Sequence, residues 1–310
     1  MRSQCVHDGW DWFCYSEHTL PVPYLRSCPL CESRALTPYA LDPWAPLRLH
    51  VAQARCSSCG LLISQPQVSE EDADRYYRSV HFEEINTDPE KSFEITRSIR
   101  AGWDFPLMRR LWNGWLPPSG GNALEIGCGF GGMLHVLSEN GLNVTGLDMS
   151  SRCASFCRSK GFNAVLGNSP GLPFAEERFD LVVAMHVIEH VLDPEAFVRE
   201  VVRLVRPGGA IVFATENARC GQYQWDRVRS HLLGRVPPFR TSHDHTFVFE
   251  AGHLQTLFER AGCGDIRSQA YHIVSPENLH WRLYKGFFRT LDRVTGYGDY
   301  LMAVGRRRDE

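Results

Sequence analysis

The stretch Leu124-Glu125-Ile126-Gly127-Cys128-Gly129-Phe130-Gly131-Gly132-Met133 decides the fold. It follows a short apolar run and opens an amphipathic one, so it reads as strand, glycine turn, helix. Glycines there allow a tight turn and a close approach of backbone to a ligand. Outward from it, after Ser119-Gly120-Gly121, short apolar runs alternate with helical patterns. Strands are expected at 123–126, 143–147, 164–166, 181–185 and 210–214, with a last one at 300–305. Helices are expected at 133–140, 152–160, 194–205 and 254–261, closed by Gly141, Gly161, Pro207-Gly208-Gly209 and Gly262. Alternation of this kind is the sequence form of an α/β, doubly wound sheet.

The spacing Gly127-x-Gly129-x-x-Gly132 also satisfies the dinucleotide fingerprint, so the glycines alone leave the ligand open. Two carboxylates narrow it. Glu125, two residues before Gly127, would oppose a pyrophosphate but suits the ammonium and sulfonium of S-adenosylmethionine (SAM). Asp148 ends the second strand, 21 residues after Gly127, where a carboxylate can accept hydrogen bonds from ribose hydroxyls. Asp148 fits either ligand; Glu125 tips the balance to SAM.

With Gly146-Leu-Asp148-Met, Leu172-Pro-Phe, Phe179-Asp-Leu-Val-Val, His186-Val-Ile-Glu-His190 and Arg206-Pro-Gly-Gly209, the loop resembles class I SAM-dependent methyltransferases. More narrowly it is similar to the branch that includes ubiquinone-biosynthesis methylases. The resemblance covers about residues 119–265. It implies a seven-stranded Rossmann-like methyltransferase sheet with an antiparallel last strand. It also implies that Gly127, Gly129 and Gly131 line the methionine part of SAM, that Asp148 holds the ribose and that Met149 packs on the adenine. Asn168 and Ser169 stand where the family usually offers an Asp to the adenine amino group; the neutral Asn implies weaker cofactor binding.

Methyl transfer is an in-line displacement that mainly needs alignment, but a hydroxyl acceptor must also lose a proton. Histidine suits that task near neutral pH. Met185-His186-Val-Ile-Glu189-His190 lies just past the fourth strand, at the edge where substrates bind in such sheets. One reading makes His190 the base, with His186 nearer the cofactor; the other makes the segment a turn that caps the next helix. A second cluster, Ser242-His243-Asp244-His245, precedes the late helix. His243-x-His245 could bind a metal, but sequence shows no third ligand, so His245 is read as facing substrate or as solvated loop.

Upstream, Cys28-Pro-Leu-Cys31 and Cys56-Ser-Ser-Cys59 form two C-x-x-C knuckles with 24 residues between them. Thiolates so spaced converge on one tetrahedral ion, the signature of a structural Zn²⁺ site. A pair of redox dithiols is the rival reading. Some 40 residues cannot build a core alone, so zinc is expected to supply folding energy. The division expected is an irregular tail (1–25), a Cys₄ zinc ribbon (26–66), a helical linker (67–118) and the methyltransferase domain (119–310). In the linker, Ser69-Glu-Glu-Asp reads as a capped helix start, and a second helical pattern spans 95–116 before Pro117-Pro118.

Zinc knuckles ahead of this fold resemble two enzyme classes: methyltransferases of bacterial glycan and secondary-metabolite pathways, and rRNA guanine methyltransferases. The latter usually carry a histidine in the second knuckle; Cys59-Gly60 stands here, which counts against RNA as partner. A small-molecule acceptor, a hydroxyl of a sugar or secondary metabolite, is therefore the expected substrate. A SAM-binding protein without catalysis is a third reading. An insertion at 217–248 carries five arginines against Asp226 and Asp244. That surplus would suit a phosphate-bearing acceptor, RNA, or plain solvation. A second insertion, 275–298, has Leu283, Phe287, Leu291 and Val294 at helical spacing. It reads as a lid, a homodimer contact, or a membrane-surface helix.

Composition sets the frame. The 310 residues carry a net charge of −3, too little for a global nucleic-acid field. The longest apolar run, 181–188, is too short to span a bilayer, and residues 1–25 lack the order of a signal peptide. A cytoplasmic protein is expected. Eleven cysteines, an odd count, then call for metal or burial and not for disulfides.

Overall fold

In a computed structural model, residues 25–40, 53–65, 67, 71, 88–168, 171–234, 245–273 and 295–309 are described. In chain order the elements are β1 (Leu36–Ala40), β2 (Gln53–Cys56), β3 (Leu62–Ser64), α1 (Pro89–Ile99), a π-helical turn (Arg100–Asp104) and α2 (Phe105–Leu111). Then come β4 (Asn122–Ile126), α3 (Gly132–Glu139), β5 (Asn143–Asp148), α4 (Ser151–Ser159), β6 (Asn163–Leu166), β7 (Phe179–Met185) and α5 (Pro194–Leu204). The chain closes with β8 (Val205–Glu216), α6 (Gly221–Leu232), β9 (Phe247–Val248), α7 (Ala251–Arg260), β10 (Cys263–Tyr271) and β11 (Tyr300–Arg307).

The large sheet has seven strands in the order β10-β11-β8-β7-β4-β5-β6. Strand β11 runs antiparallel to both neighbours, and the pairs from β8 to β6 are parallel. The doubly wound, seven-stranded sheet with its antiparallel last strand is thus as expected. The chain leaves β4 toward β5 and β6, then crosses back to β7, so the switch point lies between β4 and β7.

Alternation along the strands explains the two cores. Leu124, Ile126, Val182, Ala184, Ile211 and Phe213 face α5 and α7, whose Phe197, Val201, Leu254 and Phe258 complete one layer. Ala123, Leu181, Val183, Val212 and Met302 face α2 and α3, where Met108, Met133 and Leu137 are fully buried. Helix starts follow sequence chemistry: Ser150 accepts from Cys153 N and Asp193 from Ala196 N, with Pro194 at the first turn.

The helical pattern at 95–116 is interrupted and shortened. A π-turn at Arg100–Asp104 breaks it, and within that turn Arg100 and Asp104 pair inward (Nη1 to Oδ2, 2.6 Å). The helix ends at Leu111, well before the prolines, where Asn113 and Gly114 take φ of +54° and +81°. The insertion at 217–248 contains α6 and the short strand β9, neither of which was expected. The capped start at Ser69, most of the N-terminal tail, Arg235, Arg240, His243, Ser169 and the helical pattern at 283–294 fall outside the described residues.

A second, four-stranded sheet has the order β1-β2-β3-β9. Its last strand comes from the far end of the chain: Leu62 pairs with Val248 and Ile63 with Phe247. The cysteine knuckles therefore do not stand alone. Cys28, Leu30, Cys56, Leu61 and Ile63 belong to the same buried cluster as Phe247, Phe249 and Leu254. The segment, expected to lack a core of its own, shares the core of the large sheet.

Candidate functional site

The carboxyl ends of β4, β5, β7 and β8 meet at one edge. Gly127 N and Cys128 N donate to Leu147 O (2.8 and 3.1 Å), folding the glycine loop over β5. Gly127, Gly129 and Gly131 all have positive φ, +68°, +51° and +84°. A Cβ at Gly127 would lie 2.5 Å from Val187 Cγ2, and one at Gly131 3.0 Å from Cys157 Sγ. At Gly129 it would meet nothing within 4 Å. Two of the glycines are thus required by the fold, while Gly129 borders open space.

Asp148 fixes that loop. Its Oδ2 accepts from Gly129 N and its Oδ1 from Ser150 N, both at 2.8 Å. Burial raises its carboxyl pKa, and the backbone donors pull the other way. Met149 and Asn168 are half-buried beside it. Glu125 is more deeply built in than its expected role requires. It is buried, its Oε2 accepts from Leu134 N in the first turn of α3 (3.1 Å), and burial pushes its carboxyl well up against the charge of Arg100. Arg100 pairs with Asp104, which also accepts from Tyr271 OH (2.7 Å), while the buried Arg100 Nε has no partner. Arg100, Asp104 and Tyr271 had no sequence signal beyond a helical pattern; only the π-turn brings them to Glu125.

The two histidine clusters, 55 residues apart in sequence, form one site. His186 takes a left-handed φ of +59°, an uncommon choice for a side chain at a strand end. Its N–H donates to Ala214 O (2.8 Å), and Nδ1 donates to Glu189 Oε1 (3.2 Å). The His190 and His245 ring centroids are 4.7 Å apart, edge to face. His245 Nδ1 lies 3.2 Å from Glu216 Oε2. Glu189 is fully buried, yet its Oε2 has no hydrogen-bond partner. Burial would raise its carboxyl; the hydrogen bond from His186 and the charges of His186, His190 and His245 outweigh that and hold it at about 2. Glu189 and Glu216 are the members that sequence reading did not assign a role. Val187 touches the position of a Gly127 side chain, so this cluster adjoins the glycine loop.

The four knuckle thiols also converge. Cys28 Sγ lies 3.6 Å from Cys59 Sγ and Cys31 Sγ 3.5 Å from Cys56 Sγ, and all four fall within 4.8 Å of one another. A tetrahedral Zn–S₄ centre with bonds of about 2.3 Å needs sulfurs about 3.8 Å apart, so the donor set fits zinc. Against burial, the N–H groups of Cys59 and Ser58 hold the Cys56 thiol at about 6. Two contacts join this centre to the late helix. His253 accepts from Glu250 N at Nδ1 (2.9 Å) and donates from Nε2 to Cys59 O (2.8 Å). Arg260 Nη1 donates to Leu30 O (2.8 Å). Outside the knuckles, Cys128, Cys153, Cys157, Cys220 and Cys263 are buried and joined in no disulfide.

A glycine loop at the switch point, an acidic residue ending the next strand and the seven-stranded order together define a class I SAM-dependent methyltransferase. The chain belongs to the methyltransferase-domain family, which matches residues 101–268. Among relatives, it is 28% identical over 182 residues to the ubiquinone biosynthesis O-methyltransferase of Thiobacillus denitrificans, covering 56% of this chain and 76% of that one. The protein of the same name from Pseudomonas fluorescens is 28% identical over 174 residues, covering 53% and 73%. The fold is shared with a SAM-dependent methyltransferase of Thermotoga maritima described as a possible histamine N-methyltransferase (TM-score 0.51, 19% identity, 73% of this chain and 98% of that one). It is shared too with phosphoethanolamine N-methyltransferase 2 of Haemonchus contortus, solved with SAM (TM-score 0.51, 14% identity, 80% and 62%). SAM is the methyl donor of this class. Among the described residues no helix is long and apolar enough to cross a membrane.

Proposed function

We propose that the chain methylates a hydroxyl of a small-molecule acceptor, a sugar or secondary metabolite, bound beside the ends of β7 and β8. The observation that carries this reading is the convergence of His186, Glu189, His190, Glu216 and His245 next to the glycine loop. In this reading SAM supplies an electrophilic methyl group. Gly127, Gly129 and Gly131 give it a close-fitting backbone, Asp148 takes the ribose hydroxyls, and Met149 and Asn168 border the adenine. Each Asp148 oxygen already accepts one N–H and keeps a second lone pair, so the ribose adds to that arrangement without breaking it. His190 takes the acceptor proton, and the buried negative charge of Glu189 stabilises the imidazolium that results. The relatives named O-methyltransferases support oxygen as the acceptor atom. Cys28, Cys31, Cys56 and Cys59 hold a structural zinc.

The cofactor half of the proposal is tested by Asp148→Ala in a calorimetric SAM titration. Binding should vanish; unchanged affinity would remove Asp148 from the cofactor site. His190→Gln should bind SAM normally and lose turnover, and full turnover would demote His190 to scaffold.

A further inference from the structure

Sequence left the histidine pair without a third metal ligand, but the fold supplies one. One donor atom each from Glu189, His190 and His245 lies within 4.8 Å of the others. Glu189 is the deciding member. It is fully buried, one oxygen is held by His186, and the other points into the protein with no hydrogen-bond partner. A carboxylate oxygen sealed away without a donor is costly, and a bound cation is one of the standard ways to satisfy it.

The surrounding contacts have the arrangement that metal-binding histidines require. With Nδ1 directed at Glu216 Oε2, the lone pair of the His245 ring sits on Nε2, the carboxylate–histidine support common to metal sites. His186 does the same for the carboxylate, fixing Glu189 Oε1 so that Oε2 is the ligating atom. We infer that Glu189, His190 and His245 form a two-histidine, one-carboxylate site for a divalent transition-metal ion, with Glu216 and His186 as its supporting shell.

The donor set selects the ion class. Two imidazoles and one carboxylate favour Zn²⁺, Co²⁺, Mn²⁺ or Fe²⁺ over Mg²⁺ or Ca²⁺, which prefer all-oxygen shells. Bonds of about 2.0–2.1 Å at tetrahedral angles need donors about 3.3 Å apart, so donors already within 4.8 Å of one another close by at most about 1.5 Å on binding. Three protein ligands leave a position open, as in catalytic and not structural sites.

This inference rests on the acceptor edge proposed above and names its chemistry more closely. An acceptor with two adjacent oxygens, such as a vicinal diol or hydroxy acid, would chelate the ion. The reacting hydroxyl, bound to the metal, loses its proton to water, and the oxygen lone pair is left for the methyl group. In the metal-loaded protein that step replaces proton removal by His190, whose lone pair is committed to the ion.

The test uses the full chain loaded with one equivalent of zinc, which fills the thiolate site, and then titrated with Co²⁺ alone. One further equivalent should bind with weak visible bands and no thiolate charge-transfer absorption. His190→Gln, at a half-buried position, and Glu189→Gln should abolish it, and Glu216→Gln should weaken it by about 10- to 100-fold. A SAM titration on each variant monitors folding. Absence of the non-thiolate equivalent, or its persistence in folded His190→Gln and Glu189→Gln, would overturn the inference. Failure of the functional reading looks different: cobalt binds and SAM binds, but no hydroxyl is methylated.

Discussion

Replacing Gly129 by Ala should separate the cost of folding from the cost of binding. Gly129 has φ of +51°, so a side chain there carries the left-handed penalty of about 1–2 kcal/mol. No protein atom lies within 4 Å of the added Cβ, so no clash adds to it. The melting temperature should fall by a few degrees only, since about 2–4 °C accompany each kcal/mol in domains of 150–250 residues. Binding should suffer more. The methyl enters the space where the account places SAM, and overpacking of about 1–3 kcal/mol corresponds to about 5- to 150-fold in affinity. Gly127→Ala inverts the pattern. Its φ of +68° carries a similar penalty, but its Cβ would sit 2.5 Å from Val187 Cγ2, so stability falls by about 1–3 kcal/mol more. Val187→Ala removes that atom and should restore most of the extra loss, a coupling visible in a double-mutant cycle. Urea denaturation and SAM calorimetry on the wild type, the three single variants and the Gly127→Ala/Val187→Ala double variant give both quantities. If Gly129→Ala binds SAM as tightly as the wild type, the open space beside Gly129 is not the cofactor's place.

Two further outcomes follow from the same contacts. Tyr271→Phe leaves the buried Asp104 Oδ1 without its donor and should cost about 1–3 kcal/mol in urea denaturation. Burial raises the Tyr271 pKa well above 10, so above pH 10 the unfolded tyrosine ionises while the folded one does not; the gap between wild type and Tyr271→Phe should narrow there. Stripping zinc from the cysteine site should lower the melting temperature and uncouple β3 from β9. Ser64 N and Oγ bond Thr246 O and His245 O, and Thr246 N bonds Glu189 O (2.7 Å), so His245 and turnover are affected as well. Unchanged melting and a zinc content of zero would remove the metal from the account.

What the sequence made legible was local. Strand, glycine turn and helix at 123–140, the acid ending β5 and the spacing of the cysteine pairs all depend on residues within a few positions of one another. Their outlines agree with the structure to within a few residues. What escaped was made by long-range pairing. The side chains of Glu216 and His245 meet only because β8 and the 245–249 segment converge at one sheet edge. Phe247 and Val248 looked like the end of an arginine-bearing insertion, yet they close the ribbon's sheet. The partner that Asp104 of the π-turn finds was invisible because Tyr271 lies 167 residues away. Glu125 was legible as an acid at the right place, but not as a cap on α3.

The most direct test is to offer methyl-labelled SAM and the purified chain to a metabolite extract and, separately, to total RNA. Label is expected in a base-stable methyl ether of a small molecule, with RNA unlabelled. Label in RNA, and none in the extract, would contradict a small-molecule hydroxyl as the acceptor.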